Sequence, residues 1–168
     1  VDSLGRAYVT GTVDLNITGL TTFPSTSNAY QPIHNTGADA FLSVISADGS
    51  SLVYSTFLGG SGSEIGYDVA VGANGIAFVT GKTSTGNYPM KNSPAFPTGD
   101  KDVFVAKFDI NQSGSNSLVY STRFGAGPFS QSSGRSIAVD NFGNAYVTGV
   151  IGTSFGTPTF PTTIGAYT

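Results

Sequence analysis

Val1–Gly11 (VDSLGRAYVTG) returns twice along this chain, as Val71–Gly81 (VGANGIAFVTG) and as Val139–Gly149 (VDNFGNAYVTG), with starts 70 and 68 residues apart. A repeat of that size is a supersecondary unit stacked on copies of itself. A second block follows the same register: Asp39–Ser46 (DAFLSVIS) answers Asp102–Asp109 (DVFVAKFD), and Leu52–Gly59 (LVYSTFLG) answers Leu118–Gly125 (LVYSTRFG). Gly66–Ala70 (GYDVA) and Gly134–Ala138 (GRSIA) each lead into the next copy of the opening motif. The copies divide the chain into an N-terminally incomplete unit at 1–70, a second at 71–138 and a partial third at 139–168. Spacer lengths differ between copies, as expected of surface connections where insertions are tolerated.

Helix has little room in these units. The 23 glycines and 8 prolines interrupt the longer stretches, and apolar residues do not recur at helical spacing. Short β-rich runs fit better. In 103–108 the side chains sort by parity, Val103, Val105 and Lys107 to one face and Phe104, Ala106 and Phe108 to the other. A strand apolar on both faces is covered on both, with Lys107 at a layer edge where its stem can run along apolar surface. Asn74-Gly75, Asp48-Gly49 and the 140–144 segment are turn signals between β runs. The complete unit thereby predicts four strands, near 67–71, 76–81, 102–109 and 118–123, with three in the first unit and two in the last. Four antiparallel strands per radial unit is the pattern of a propeller blade. The expected fold is all-β, with propeller-like four-stranded antiparallel units and an incomplete ring. The long polar segments 21–35 and 83–99 become face loops, each pinned by an aromatic-proline pair: Phe23-Pro24, Tyr88-Pro89 and, in the last unit, Phe160-Pro161.

The stretches Val139–Gly149, Phe160–Tyr167, Asp102–Phe108 and Leu52–Gly62 together resemble the SBBP-type β-propeller repeat family of bacteria and archaea. The resemblance implies a secreted or surface-associated protein in which the propeller serves as scaffold or recognition module, and it implies no catalytic set. Nine strands do not close a ring of four to eight blades. The unfinished units then belong to a larger parent chain or are completed by other copies of this one, in a ring if the contact closes and a filament if it does not.

Only 10% of residues are charged, so Ser, Thr, Asn and Gly dress the surface, which suits export or packing against like surfaces better than cytoplasmic life. A net charge of -3 offers no field for a phosphate backbone, and nucleic acid is not an expected partner. No apolar run approaches the length of a transmembrane helix. With no cysteine the chain has neither disulfides nor thiolate metal sites. It opens within a repeated motif, so the lack of a visible leader carries little weight.

Chemistry is sparse, and neither a cofactor nor a resident metal is expected. His34, the single histidine, lacks a second histidine or cysteine to share a metal and reads as a surface residue. Asp39 and Asp102 open equivalent strands, and Asp2 and Asp140 equivalent turns, where local backbone hydrogen bonds explain them. Asp140, Asn141 and Asn144 could supply calcium oxygens, but Gly72 and Arg6 break the pattern in the other copies. Glu64 and Asp68 form a weak acid pair whose expected role is solvated. Ser55 and Ser121 lie in strands without a nucleophile motif, and Gly59–Gly62 is a tight connection between blades instead of a phosphate loop. Asn16-Ile17-Thr18 and Asn111-Gln112-Ser113 fit the N-glycosylation pattern.

The leading expectation is a non-enzymatic extracellular structural or adhesive protein whose partners are copies of itself or neighbouring repeats of a larger chain. The alternative is a binding module of a larger secreted protein, with Tyr30, Tyr88 and Tyr167 contacting glycan or a surface protein.

Overall fold

The computed structural model describes residues 1–15, 22–84, 86–96, 98–152, 160–163 and 166. Their strands form three antiparallel sheets. The first contains β1 (Ala7–Val13), β2 (Asp39–Ile45) and β3 (Leu52–Leu58) in that order. The second contains β4 (Glu64–Val71), β5 (Ile76–Thr83), β6 (Asp102–Asp109) and β7 (Leu118–Phe124), again in chain order. The third pairs β8 (Ser133–Val139) with β9 (Ala145–Val150). The all-β reading, the antiparallel pairing and the distribution of three, four and two strands are as the repeats predict.

The sheets are phased one strand earlier than the sequence units. β4 closes the 1–70 unit yet is the first strand of the second sheet, and β8 stands likewise to the third. The reason lies in the turns. Asn74 and Gly75 both take positive φ, at 56° and 79°, reversing the chain so that β4 and β5 become a hairpin. Gly143, at φ 83°, sits at the equivalent place between β8 and β9.

The second sheet is buried on both faces, as its parity requires. Phe104, Ala106 and Phe108 join Ala40, Leu42, Val44, Tyr54 and Leu58 of the first sheet in one core. Val103, Val105 and Phe78 join Ile137 in another, against which Val139, Ala145 and Val147 of the third sheet pack. Lys107 is half-buried, its Nζ 5.2 Å from the centre of the Phe78 ring, matching the layer-edge position.

The same close approach recurs between successive sheets. A Cβ on Gly66 of β4 would collide with Thr10 Oγ1 of β1, and one on Gly134 of β8 with Thr80 Oγ1 of β5. Glycine at this point lets each blade's first strand lie directly against the preceding blade.

Candidate interaction surface

The contact between the first and second sheets shows what a finished interface looks like. Tyr54 is fully buried; its hydroxyl shares a 2.8 Å hydrogen bond with Ser117 Oγ and accepts one from the Tyr30 backbone N–H at 3.2 Å. The ring lies 6.3 Å from Phe108, centre to centre. β6 of the second sheet therefore supplies the aromatic side chains that cover β2 and β3 of the first.

The repeat places Tyr120 and Phe124 where the first unit has Tyr54 and Leu58. No third-sheet counterpart of β6 follows β9 among the described residues, and the equivalent surface becomes a groove of about 460 Å³. Val105, Tyr120, Phe124 and Val147 line it, with Phe96 and Phe160 at its margin. Phe96 and Phe160 each meet Phe124 edge-on, both at 5.9 Å between centres. Partial burial still raises the Tyr120 hydroxyl pKa. Beside the groove, β9 pairs only with β8 among the described strands, and Tyr146 and Val150 of β9 are more than half exposed. An apolar groove beside an unpaired strand edge can bind another strand through its backbone and its alternating side chains.

The aromatics nominated from sequence occupy different places. Tyr88 is a correction: it is 2% exposed, its ring 5.2 Å from Phe104, and its hydroxyl accepts a hydrogen bond from Ser121. The aromatic-proline pair pins the loop by burying the tyrosine, which removes that ring from any ligand-facing surface. Phe23 anchors the loop of the first unit while only half-buried, its ring tilted against Phe41 at 4.8 Å and Phe57 at 5.4 Å. Tyr30 is half-buried, edge-on to Phe108 at 6.3 Å, and packs against the same core as Tyr88. Tyr167 lies outside the described residues, as does Asn16 of the first glycosylation pattern.

The acidic residues divide into buried and turn-bound sets. Glu64, expected in solvent, is instead fully buried: Gly60 N–H and Thr83 Oγ1 donate to its carboxylate at 2.8 and 2.7 Å. Glu64 opens β4 immediately after the Gly59–Gly62 connection, and the descending chain folds it inward. Asp39 is also fully buried, accepting from Asn35 N–H and Gln31 Nε2, while its Oδ1 has no hydrogen-bond partner among the described residues. Burial raises both pKa values, and Asp39 raises that of Glu64 further by like charge. Asp102 repeats the strand-opening role, accepting from Gly99 N–H at 2.8 Å and meeting Arg123 at 3.5 Å.

Asp68 and Asp140 are spent on structure. Asp68 accepts hydrogen bonds from Ser136 Oγ and Ile137 N–H, tying β4 to β8. Asp140 accepts from Phe142 N–H, Asn144 N–H, Asn144 Nδ2 and Tyr146 Oη, so the turn itself uses both oxygens. His34 is half-buried against Phe57, and its neighbourhood holds no metal-binding group of histidine and carboxylates among the described residues.

Sequence reasoning passed over Tyr120, Phe124 and Phe160 as surface determinants. The signal was present: LVYST occurs twice with its tyrosine in register, and the first copy's Tyr54 lies under a strand of the next unit. A family model described as a β-propeller repeat, SBBP, matches residues 119–156, spanning most of β7 together with β8 and β9. No curated protein matches the chain.

Proposed function

We propose that this chain, which carries an SBBP β-propeller repeat, is an extracellular structural or adhesive protein without enzymatic activity, its unfinished sheet completed by another copy or by a neighbouring repeat. The observation that supports this reading most is the groove of Val105, Tyr120 and Phe124. At the first interface the same positions are filled by a strand bearing Phe104 and Phe108. The complementary partner is therefore a β-strand with aromatic side chains on alternate positions of one face. The low charge of 10% supports contact between copies, since a Ser-, Thr- and Asn-rich surface approaches like surfaces without strong repulsion.

Denaturing mass spectrometry beside light scattering tests the reading on native material. Rings or filaments built from a covalent chain of this length support assembly between copies, and dispersal by Tyr120→Lys locates the contact in the groove. A much longer covalent chain makes the neighbouring repeat the partner. A monomer of this length at every concentration, unaffected by Tyr120→Lys, overturns the proposal.

A further inference from the structure

A second groove, of about 780 Å³, lies between the turns of the second and third sheets and is separate from the groove of Tyr120. Two departures from the repeat and one exposed aromatic meet in it. Lys107 stands where the first unit has Val44, a fully buried core residue. Asp109 stands where the first unit has Ser46, and Phe142 stands where the first copy has the exposed Leu4 and the second has Asn74. The three line one wall and rim, with Gln112 and Asn141 adding side-chain amides.

Each of the three sets a side chain on the groove. Phe142 is 92% exposed, yet its turn is held by the Asp140 carboxylate and by Gly143 at φ 83°, which presents the ring from an ordered support. Asp109 uses Oδ1 to accept from Asn111 N–H and Nδ2, while no hydrogen bond engages its Oδ2 among the described residues. No carboxylate lies within ion-pair reach of Lys107 among the described residues; its ammonium rests over Phe78. Lys107 and Asp109 offer an ammonium donor and a carboxylate acceptor two residues apart on one strand face, Asp140 adds a carboxylate already engaged by its own turn, and the apolar ring of Phe142 lines the same groove. This combination suits a neutral ligand with one apolar face and adjacent hydroxyls.

The geometry points to a saccharide-binding groove that takes a neutral pyranose unit, its C–H face on Phe142 and its hydroxyls between Lys107 Nζ and Asp109 Oδ2. The inference deepens the adhesive part of the proposed function by naming the ligand class, and it uses different residues from the assembly groove.

The test is a solution NMR titration of the 168-residue chain with cellotetraose, maltotetraose and chitotetraose at millimolar concentration. At least one should shift the Phe142 and Lys107 signals, and Phe142→Ala and Lys107→Met should each weaken binding roughly tenfold. Lys107→Met is expected to fold, because Val44 shows that an apolar side chain is accepted at this position of the blade. Tyr120→Lys should leave sugar binding unchanged while dispersing assemblies, so loss of assembly and loss of binding are read separately. Absence of saccharide-dependent shifts in this groove, wild-type affinity in both groove variants, or binding there by peptides but by none of the sugars would overturn the inference.

Discussion

The two interfaces around the second sheet are built from the same repeated positions and end differently. On one side Leu42, Val44 and Tyr54 are sealed by Phe104 and Phe108. On the other, Val103 packs against β8 and β9, whereas Val105, Tyr120 and Phe124 line a groove. The sequence positions match, so the difference lies in the described strands that cover them, four in the second sheet and two in the third. In a repeat array, burial belongs to a pair of neighbours, and one residue type has two fates depending on the strands of the next blade.

The largest expected effect separates the two sides. Phe104→Ala or Phe108→Ala removes a fully buried ring from the sealed core and should cost about 3–5 kcal/mol. Val105→Ala, on the partly covered face, should cost roughly 1–2 kcal/mol. Chemical denaturation of the three variants measures the contrast. Because Phe→Ala removes more atoms than Val→Ala, Val44→Ala in the sealed core is the like-for-like reference, and equal losses for Val44 and Val105 would show that the second interface is as well packed as the first.

How far the sequence could be read tracks the same division. Strand identity was legible because repetition fixes register and the two-residue parity of 103–108 fixes both faces of β6. The turn at Asn74-Gly75 was legible because adjacent positive φ values favour those residues. The fates of Glu64 and Tyr88 were not. A carboxylate in a Gly-rich connection reads as solvated, and its burial depends on Gly60 and Thr83 arriving from two different segments. A tyrosine in a polar loop reads as exposed, and its burial depends on Phe104 lying beneath it. The interaction grooves were hidden for a related reason: they are spaces between neighbours, and no local pattern encodes a space.

A smaller effect probes the contact that both interfaces share. Gly66→Ala and Gly134→Ala would each press a methyl group onto a threonine hydroxyl of the preceding blade, and each should cost about 1–3 kcal/mol through overpacking. Gly66 also lies 3.1 and 3.3 Å from the backbone O and N of Gly11, which cannot swing aside, whereas the further neighbours of Gly134 are the Val103 and Val147 side chains at 3.0 and 3.2 Å, so Gly66 should be the less tolerant position. A larger cost at Gly134, measured by thermal or denaturant unfolding, would show that the valine side chains between the second and third sheets are held as firmly as backbone.

The most graded difference lies in the connections between sheets. The first connection buries two carboxyls, Asp39 and Glu64, whereas the second has Asp102 with Arg123 nearby and Ser132 in the place of Glu64. Burial raises the folded pKa of Asp39 and Glu64; His34 partly offsets this at Asp39, and Asp39 adds to it at Glu64. A folded pKa above the unfolded value means that the folded state holds more protons between the two. Stability contributed by these groups therefore falls as pH rises from the ordinary carboxylate range through the raised values. Asp48 behaves oppositely. Hydrogen bonds from Ser46 and Ser50 lower its pKa to about 2, so its contribution is present above the ordinary carboxylate range and lost as pH falls toward that value. Unfolding free energy measured against pH should pass through a maximum between these limbs, and Glu64→Gln should flatten the upper limb more than Ser132→Ala does. An unchanged upper limb in Glu64→Gln would place the proton linkage at Asp39 or Asp102, whose pKa values burial also raises; a limb flattened by Asp102→Asn and not by Asp39→Asn would make the second connection the pH-sensitive one.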